Sequence, residues 1–285
     1  MKEAFRSLGN RDFRRWSAGS LLSNIGTWVQ RIAQDWLVLT QLTHESAAAL
    51  GIVTGLQFAP IILFVPFSGL AADGFDRRRL LIVTQLLAGL LALGLGLLTL
   101  LGLVTLPQVY VFAFLLGCVN ACDNPARQTF AGEVVPEGDL ANAIALNSIS
   151  FNAARLIGPA VAGFLLAEVG SAGSFLINAA SYVFGIIALC FVKIHTPQRR
   201  ARIRRGGVVD GFRYIRRRTN LSVVLVMLFL VGTFGLNFPI FLSTMSVSVF
   251  GLGAGRYGLL TSFMAVGSIL GAFLTARERD PGMVF

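Results

Sequence analysis

The sequence predicts an all-α integral membrane protein: a helical bundle with a complete unit of six spans, followed by about two more. Hydrophobic residues make up 55% of the chain and charged residues only 13%, whereas an average soluble domain carries about 25% charged residues. Apolar stretches of about 20 residues, the length that crosses the hydrocarbon core as a helix, recur along the chain. The loops between them alternate between basic and neutral.

Eight stretches are long enough to span a bilayer. They cover approximately residues 16–39, 50–72, 80–103, 107–129, 142–167, 174–192, 221–245 and 257–276. We expect helices at these positions, because lipid cannot satisfy the free backbone groups of an open strand.

The basic residues predict the orientation. They precede the first span, follow the second, end the fourth, fill the connection after the sixth and follow the eighth, while the loops on the other side carry Arg256 alone. Because positively charged loops are retained in the cytoplasm, we expect a multi-pass protein of a bacterial inner membrane with both termini cytoplasmic.

The connection 193–220 carries ten Lys or Arg against one acid, Asp210. Val208, Phe212 and Ile215 fall at helical spacing within it, which predicts a basic amphipathic helix lying on anionic lipid. Nucleic-acid binding is not expected, since stacking side chains are scarce. The connection divides the chain into a six-span unit (1–192), a linker (193–220) and the first spans of a second unit (221–285), so we also expect a C-terminally truncated chain.

Ionisable residues inside spans cost about 2.5–3.5 kcal/mol each at the helix centre and often mark a pathway. Arg31 and Asp35 lie four positions apart in the first span, and Asp123 and Arg127 repeat this spacing in the fourth. Arg155 stands alone in the fifth. Each pair is either an intrahelical bridge that makes insertion tolerable or part of a substrate or proton pathway, and the spacing leaves both readings open.

Polar side chains give the first span an unusual character. Gln30 and Gln34 follow Asn24 and Thr27 at near-helical spacing, which predicts a polar stripe that either faces a central cavity or holds helices together. Desolvation and the nearby guanidinium act in opposite directions on the proton affinity of Asp35. That balance suits a carboxylate at which proton and substrate binding compete.

Two spans are joined by the segment 69–79, which reads Gly-Leu-Ala-Ala-Asp-Gly-Phe-Asp-Arg-Arg-Arg. It resembles the signature loop after the second span of major facilitator superfamily transporters, with matches at Gly69, Leu70, Asp73, Arg77 and Arg78. It departs from that pattern at Gly74 and Asp76. The resemblance implies a cytoplasmic gate formed by Gly69, Asp73, Arg77, Arg78 and Arg79.

The fifth span carries Gly158, Pro159 and Gly163, which resemble the helix-bend motif of major facilitator drug antiporters and imply exchange. The segments 120–128, 142–147 and 178–182 resemble the branch that contains enterobactin exporters and transmembrane secretion effectors. The implied fold is a major facilitator helical bundle. In that branch the arginine at the position of Arg127 is linked to proton coupling.

Together these features predict a secondary active transporter that exports a siderophore-like or drug-like small molecule by alternating access in exchange for protons. We expect a monomer in contact with lipid, with no cofactor and no enzymatic activity. The chain lacks a phosphate-binding Gly-rich loop, and His44 and His195, its two histidines, lie far apart, so no metal site is expected.

Two alternatives remain. The chain is a truncated remnant without transport, because an alternating-access site needs both halves, or it is a membrane scaffold that docks lipid or a partner through its basic linker. Charge reversal across residues 199–205 would disable a scaffold but spare a transporter, whereas Asp35→Asn would do the opposite.

Overall fold

The computed structural model describes residues 5–43, 45–74, 76–194 and 218–232, with Arg216 and short pieces between 241 and 267; it leaves out the side chains of 65–74, 137, 219–220 and 248. The predicted amphipathic helix at 208–215 and most of the predicted span 257–276 lie outside the described residues. The division into three segments therefore stays a prediction.

The described chain is helical, and no strand occurs in the ranges given above. Its helices are α1 (Arg11–Leu37), α2 (Ala47–Gly74), α3 (Arg77–Leu100), α4 (Leu106–Glu133), α5 (Leu140–Phe191) and α6 (Thr219–Leu230). A π-helical turn, Val38–Leu42, extends α1, and short 3-10 turns at Arg6–Gly9 and Glu137–Asp139 precede α1 and α5. Helices α1 to α5 cover most of the first six predicted spans and begin before each of them; the predicted ends 38–39, 101–103 and 192 lie just beyond α1, α3 and α5.

Polar residues at the helix starts explain several boundaries. The side chain of Asn10 accepts hydrogen bonds from the backbone N–H groups of Asp12 and Phe13 at 2.8 and 3.2 Å. Thr105 forms a reciprocal capping box with Gln108 at the start of α4. These side chains satisfy N–H groups that have no partner within a helix.

The segment α5 consists of two helical arms joined by a reversal at Gly170. A straight helix of its 52 residues would be about 78 Å long, more than twice the hydrocarbon core of about 30 Å. The backbone leaves helical geometry at Gly170, where φ is 68°, a conformation that favours glycine. Ala143 from its start and Leu189 from its end lie in the same apolar cluster, so the arms α5a (140–169) and α5b (171–191) are antiparallel.

The two arms correspond to the predicted spans 142–167 and 174–192. Among the residues of α5, non-helical backbone angles occur at Gly170, whereas the helix continues through Pro159. The reversal therefore depends on a glycine between the arms, and the bend at Pro159 remains a prediction.

Helix α1 packs mainly against α5 and reaches the other helices through its side chains. Near its start, Phe13 and Trp16 pack with Phe130 of α4, with ring centroids 5.6 Å apart for Phe13 and Trp16 and 6.1 Å apart for Trp16 and Phe130. Towards its other end, Val29 and Ile32 belong to a second buried cluster with residues of α2, α3, α4 and both arms of α5. Side chains of α1 thus take part in both of the larger apolar clusters.

Among the residues that the structure describes, four helical segments are long and apolar enough to cross a membrane: Ala47–Phe64, Arg77–Leu100, Leu106–Glu133 and Leu140–Phe191. Helix α1 is not among them, because Gln30, Arg31, Gln34 and Asp35 lower its hydropathy. The low hydropathy of α1 is tolerated because other helices bury most of its residues and keep them from lipid. Exposed leucines on α3, such as Leu90, are typical of a lipid-facing surface.

Small residues allow the helices to approach closely. A methyl group added at Gly117 of α4 would lie 2.6 Å from the carbonyl oxygen of Gln57 in α2. At Gly158 of α5a it would lie 2.4 Å from the Cβ atom of Trp28 in α1. Close packing of this kind replaces the hydrophobic effect as a source of association between membrane helices.

We expect Gly117→Ala to destabilise the bundle, because the added methyl group meets backbone that cannot rotate away. Overpacking of this kind costs about 1–3 kcal/mol, so the thermal unfolding midpoint in detergent should fall. Gly51→Ala in α2 is the matched control, since no heavy atom lies within 4 Å of the added methyl group. Equal midpoints for the two variants would contradict the close α2–α4 contact.

Candidate functional site

A small polar cavity lies where α1, α3, α4 and both arms of α5 meet. Its volume is about 40 Å³, which is room for a few water molecules. Its lining combines amides, hydroxyls and charged groups with a few aromatic and apolar residues: Asn24, Thr27, Trp28, Arg31, Thr84, Gln85, Ala88, Val119, Asn120, Asp123, Asn124, Arg127, Phe151 and Tyr182. The cavity is therefore a polar space inside a bundle whose outer surface is apolar.

The acidic group of the cavity is Asp123 of α4, and it is buried. Thr84 of α3 lies 2.7 Å from its Oδ1 atom and donates a hydrogen bond to it. Arg127, one turn along α4, binds the Oδ2 atom through Nε at 2.9 Å and Nη2 at 2.8 Å. Both carboxylate oxygens are therefore engaged by protein donors.

The same arginine also connects α4 to α1. The Nη1 group of Arg127 donates to the Oγ atom of Ser20 at 2.7 Å, and both residues are buried. The Asp123–Arg127 pair is thus an intrahelical bridge, one of the two alternatives left open by the spacing. It is also the centre of a polar network that joins α1, α3 and α4.

Arg31 and Asp35, the pair in α1 with the same four-residue spacing, have different contacts from those of Asp123 and Arg127. Among the described residues, Arg31 and Asp35 form no ion pair within 4 Å, and the guanidinium of Arg31 instead lies over two aromatic rings. Its Cζ atom is 4.9 Å from the ring centroid of Trp28 and 5.1 Å from that of Phe58. The Nε atom is buried and has no hydrogen-bond partner within the described part of the chain. Arg31 is therefore a cavity-lining cation without a bound acceptor at that atom.

Asp35 lies one turn further along α1 and outside the cavity lining. Its side chain is 8% exposed, and no donor from the described residues lies within hydrogen-bond distance of its carboxylate. The structure thus places one buried carboxylate, Asp123, in a complete network and the other, Asp35, outside it.

The predicted polar stripe of α1 has members with different surroundings. Gln30 accepts a hydrogen bond from the amide of Asn178 in α5b, and the hydroxyls of Thr27 and Tyr182 lie 2.9 Å apart. These contacts hold helices together. In the described part of the chain, the Gln34 amide is buried without a partner, as is the Nδ2 atom of Asn24, which lines the cavity.

The motif of α5a lies against the same region. Gly158, Pro159 and Gly163 are buried, and Gly158 packs on the side chain of Trp28. Arg155 is exposed, and its Cζ atom lies 5.8 Å from the Trp28 ring centroid. Trp28 consequently contacts a cation from α1 and another from α5a.

The three arginines at the start of α3 have separate partners. The Arg77 side chain forms a buried ion pair with Glu133 at the end of α4, and that of Arg78 donates to the carbonyl oxygen of Cys190. At Arg79 it is the backbone N–H that donates, to the side chain of Asp76 at 2.9 Å. Asp76, a departure from the family pattern, thus caps α3. At Gly69 and Asp73 only the helical backbone is described, and the surroundings of the Asp73 side chain are not.

Several site residues were missed in the sequence. Ser20, Thr84 and Gln85 are isolated polar residues in apolar surroundings, and a search for unpaired polar residues within spans would have found them. Glu133 is the acid at the end of α4, and its pairing with Arg77 depends on tertiary structure. In the described residues, no group of three His, Cys, Asp or Glu is placed to hold a metal ion.

We expect Asp123→Asn to destabilise the protein, because it leaves the charge of Arg127 buried. Removing one member of a buried pair costs about 3–5 kcal/mol, and adding Arg127→Gln should recover part of that loss. Unfolding of the two single variants and the double variant measures the coupling. The exposed pair Arg6–Asp139 is the control, with an expected loss of at most about 1 kcal/mol. A coupling as small as that of the control would contradict a structural role for the pair.

Known transporters are similar to this chain in sequence. A staphyloferrin A transporter of Staphylococcus aureus is 27% identical over 89% of this chain and 64% of its own length. A multidrug efflux pump, Tap, of Mycolicibacterium fortuitum is 26% identical over 69% of this chain and 50% of its own length. The chain therefore spans less than two thirds of either relative.

The fold also matches solved transporters. A bacterial homologue of the human lysosomal transporter Spinster, in an inward-facing and unoccupied conformation, superposes with a TM-score of 0.69 at 17% identity, covering 93% of this chain and 62% of the other. The sequence model of the transmembrane secretion effector family matches residues 2–281. The predicted major facilitator bundle is thereby confirmed, and the chain belongs to the transmembrane secretion effector family of major facilitator transporters.

Proposed function

We propose that this chain acts in a secondary active transporter that exports a small molecule across a bacterial inner membrane by alternating access, with its termini in the cytoplasm. The observation that carries the proposal is the polar cavity enclosed by α1, α3, α4 and α5. Ionisable groups at membrane depth are costly and usually serve a substrate or ion pathway. The names of the two relatives, a siderophore transporter and a drug efflux pump, support the same class of activity.

The cavity volume implies a conformational change. A space of about 40 Å³ admits water, whereas drug-sized ligands occupy cavities of about 300–1,000 Å³. Helices must therefore separate before a substrate enters. The halves of a major facilitator rock against each other largely as rigid bodies. We therefore propose that the Arg127–Ser20 and Thr84–Asp123 bonds, which lie within one half, stay intact while the two halves separate.

Proton exchange is the proposed energy source, and Asp35 is the proposed carrier. A proton arriving at Asp123 competes with Arg127 and Thr84 for the carboxylate. A proton arriving at Asp35 displaces no donor of the described residues. In this scheme Arg31 and Arg155 set the charge around the pathway, and the arginines that begin α3 gate its cytoplasmic side.

We propose that residues 1–192 form one transporter unit, that 193–220 link it to the next, and that 221–285 begin a second unit. The protein would function as a monomer in contact with lipid. In a major facilitator, parallel halves of this kind line the substrate site from both sides.

We expect acid-inside, inside-out vesicles containing this protein to accumulate ethidium or staphyloferrin A, and Asp35→Asn to reduce that uptake at least tenfold. The reason is that an amide cannot exchange a proton. Glu168→Gln is the control, because it removes an exposed carboxylate and should leave uptake unchanged. Size-exclusion profiles of the variants check insertion and folding. The proposal fails if neither probe accumulates under a pH gradient, and the role of Asp35 fails if Asp35→Asn transports normally.

A further inference from the structure

We propose that Arg31 binds an oxyanion group, a carboxylate or phosphate, of a soluble organic anion in the cavity. The inference rests on the proposed transport function for its physiological meaning and narrows the substrate class. Three features of the cavity support it: its charge, the position of the guanidinium and the donors around it.

The described lining of the cavity carries an excess of positive charge. Its charged residues are Asp123, Arg127 and Arg31. The first two neutralise each other at 2.8 Å, whereas Arg31 has no carboxylate within 4 Å among the described residues. Arg155 lies on the same tryptophan ring and has the same sign. Asp35, one turn along α1 and outside the lining, acts on Arg31 through space and offsets one of these charges. With Arg155 counted, the net charge stays positive and attracts an anion.

The position of Arg31 is fixed before any ligand arrives. Trp28 from its own helix and Phe58 from α2 hold the guanidinium at centroid distances of 4.9 and 5.1 Å. Its Nε–H is buried and without an acceptor in the described structure. A guanidinium held in this way offers parallel N–H groups that match a planar carboxylate or a phosphate. Little conformational entropy is then lost on binding.

A second donor supports the same ligand. Asn24 lines the cavity and is 8% exposed, and its Nδ2 atom has no partner among the described residues. An amide N–H₂ group can donate to an oxyanion. A buried donor without an acceptor is costly, and an anion that also binds Arg31 would relieve that cost.

The aromatic rings argue against a cationic ligand. Quaternary and other cationic ligands bind over aromatic rings, but here Arg31 lies over both Trp28 and Phe58 and Arg155 lies over Trp28 as well. A cation would have to displace an arginine of the same charge. A space of about 40 Å³ holds at most a single oxyanion group, so the rest of the anion enters only after the helix separation proposed above. The phosphatidylglycerol arm of the experiment distinguishes a soluble anion from a lipid.

The experiment uses Trp28 as its own reporter. The chain has three tryptophans, and Trp16→Phe with Trp36→Phe leaves Trp28 alone. Citrate and inorganic phosphate are titrated into the purified full chain in neutral detergent at constant ionic strength.

We expect a saturable change in Trp28 emission with at least one anion and at least tenfold weaker binding in Arg31→Gln. Arg14→Gln, which alters an exposed arginine near the start of α1 and outside the cavity, should bind within twofold of the parent. Isothermal titration of the chain with all its tryptophans provides the same constants if the double Phe variant is unstable.

Binding that is unchanged in Arg31→Gln, or no binding of either anion, would overturn the inference. Arg31-dependent binding of phosphatidylglycerol in place of citrate and phosphate would also overturn it, because the ligand would then be a lipid. The transport proposal is tested separately. If citrate binds but no probe is taken up under a pH gradient, the anion site is supported and transport is refuted. If ethidium is taken up but no anion binds, transport is supported and the anion site is refuted.

Discussion

The buried bond between Asp123 and Arg127 is the interaction on which the arrangement of the described helices depends. Water is absent from the hydrocarbon core, so each polar group there must find its partner in the protein. Thr84 and Ser20 supply those partners from α3 and α1. A rotation of any of the three helices would leave a charge or a hydroxyl unsatisfied, and this requirement fixes their relative register more firmly than apolar contacts alone.

The same requirement explains why α1, the most polar helix, is largely buried by other helices. Its amides and ionisable groups would be costly against lipid, and α5a and α5b cover much of it. The surface that faces lipid consists of apolar side chains on the neighbouring helices, such as the exposed leucines of α3. A helix such as α3 therefore serves both environments: Thr84 and Gln85 line the cavity on one face, and exposed leucines such as Leu90 lie on another.

Much of this could be predicted from local patterns. Span length, capping residues and the hairpin between the fifth and sixth spans follow from composition and from turn chemistry. The two charged pairs show the limit. Arg31 and Asp35 have the same spacing as Arg127 and Asp123, yet only the latter pair is bridged in the described structure, because Phe58, from another helix, and Trp28 engage Arg31. The Arg77–Glu133 pair likewise joins residues 56 positions apart, and no helical spacing reveals such a partner.

The hairpin at Gly170 has a consequence for how the chain is made. The amide of Gln30 meets Asn178 across 148 positions of sequence, and α5b is synthesised long after α1. Throughout that interval the polar side of α1 lacks the arm that covers it. The first helix therefore enters the membrane before its main partner exists, and its retention depends on the earlier helices or on the insertion machinery. Biogenesis of this unit is completed only when the second arm folds back from Gly170.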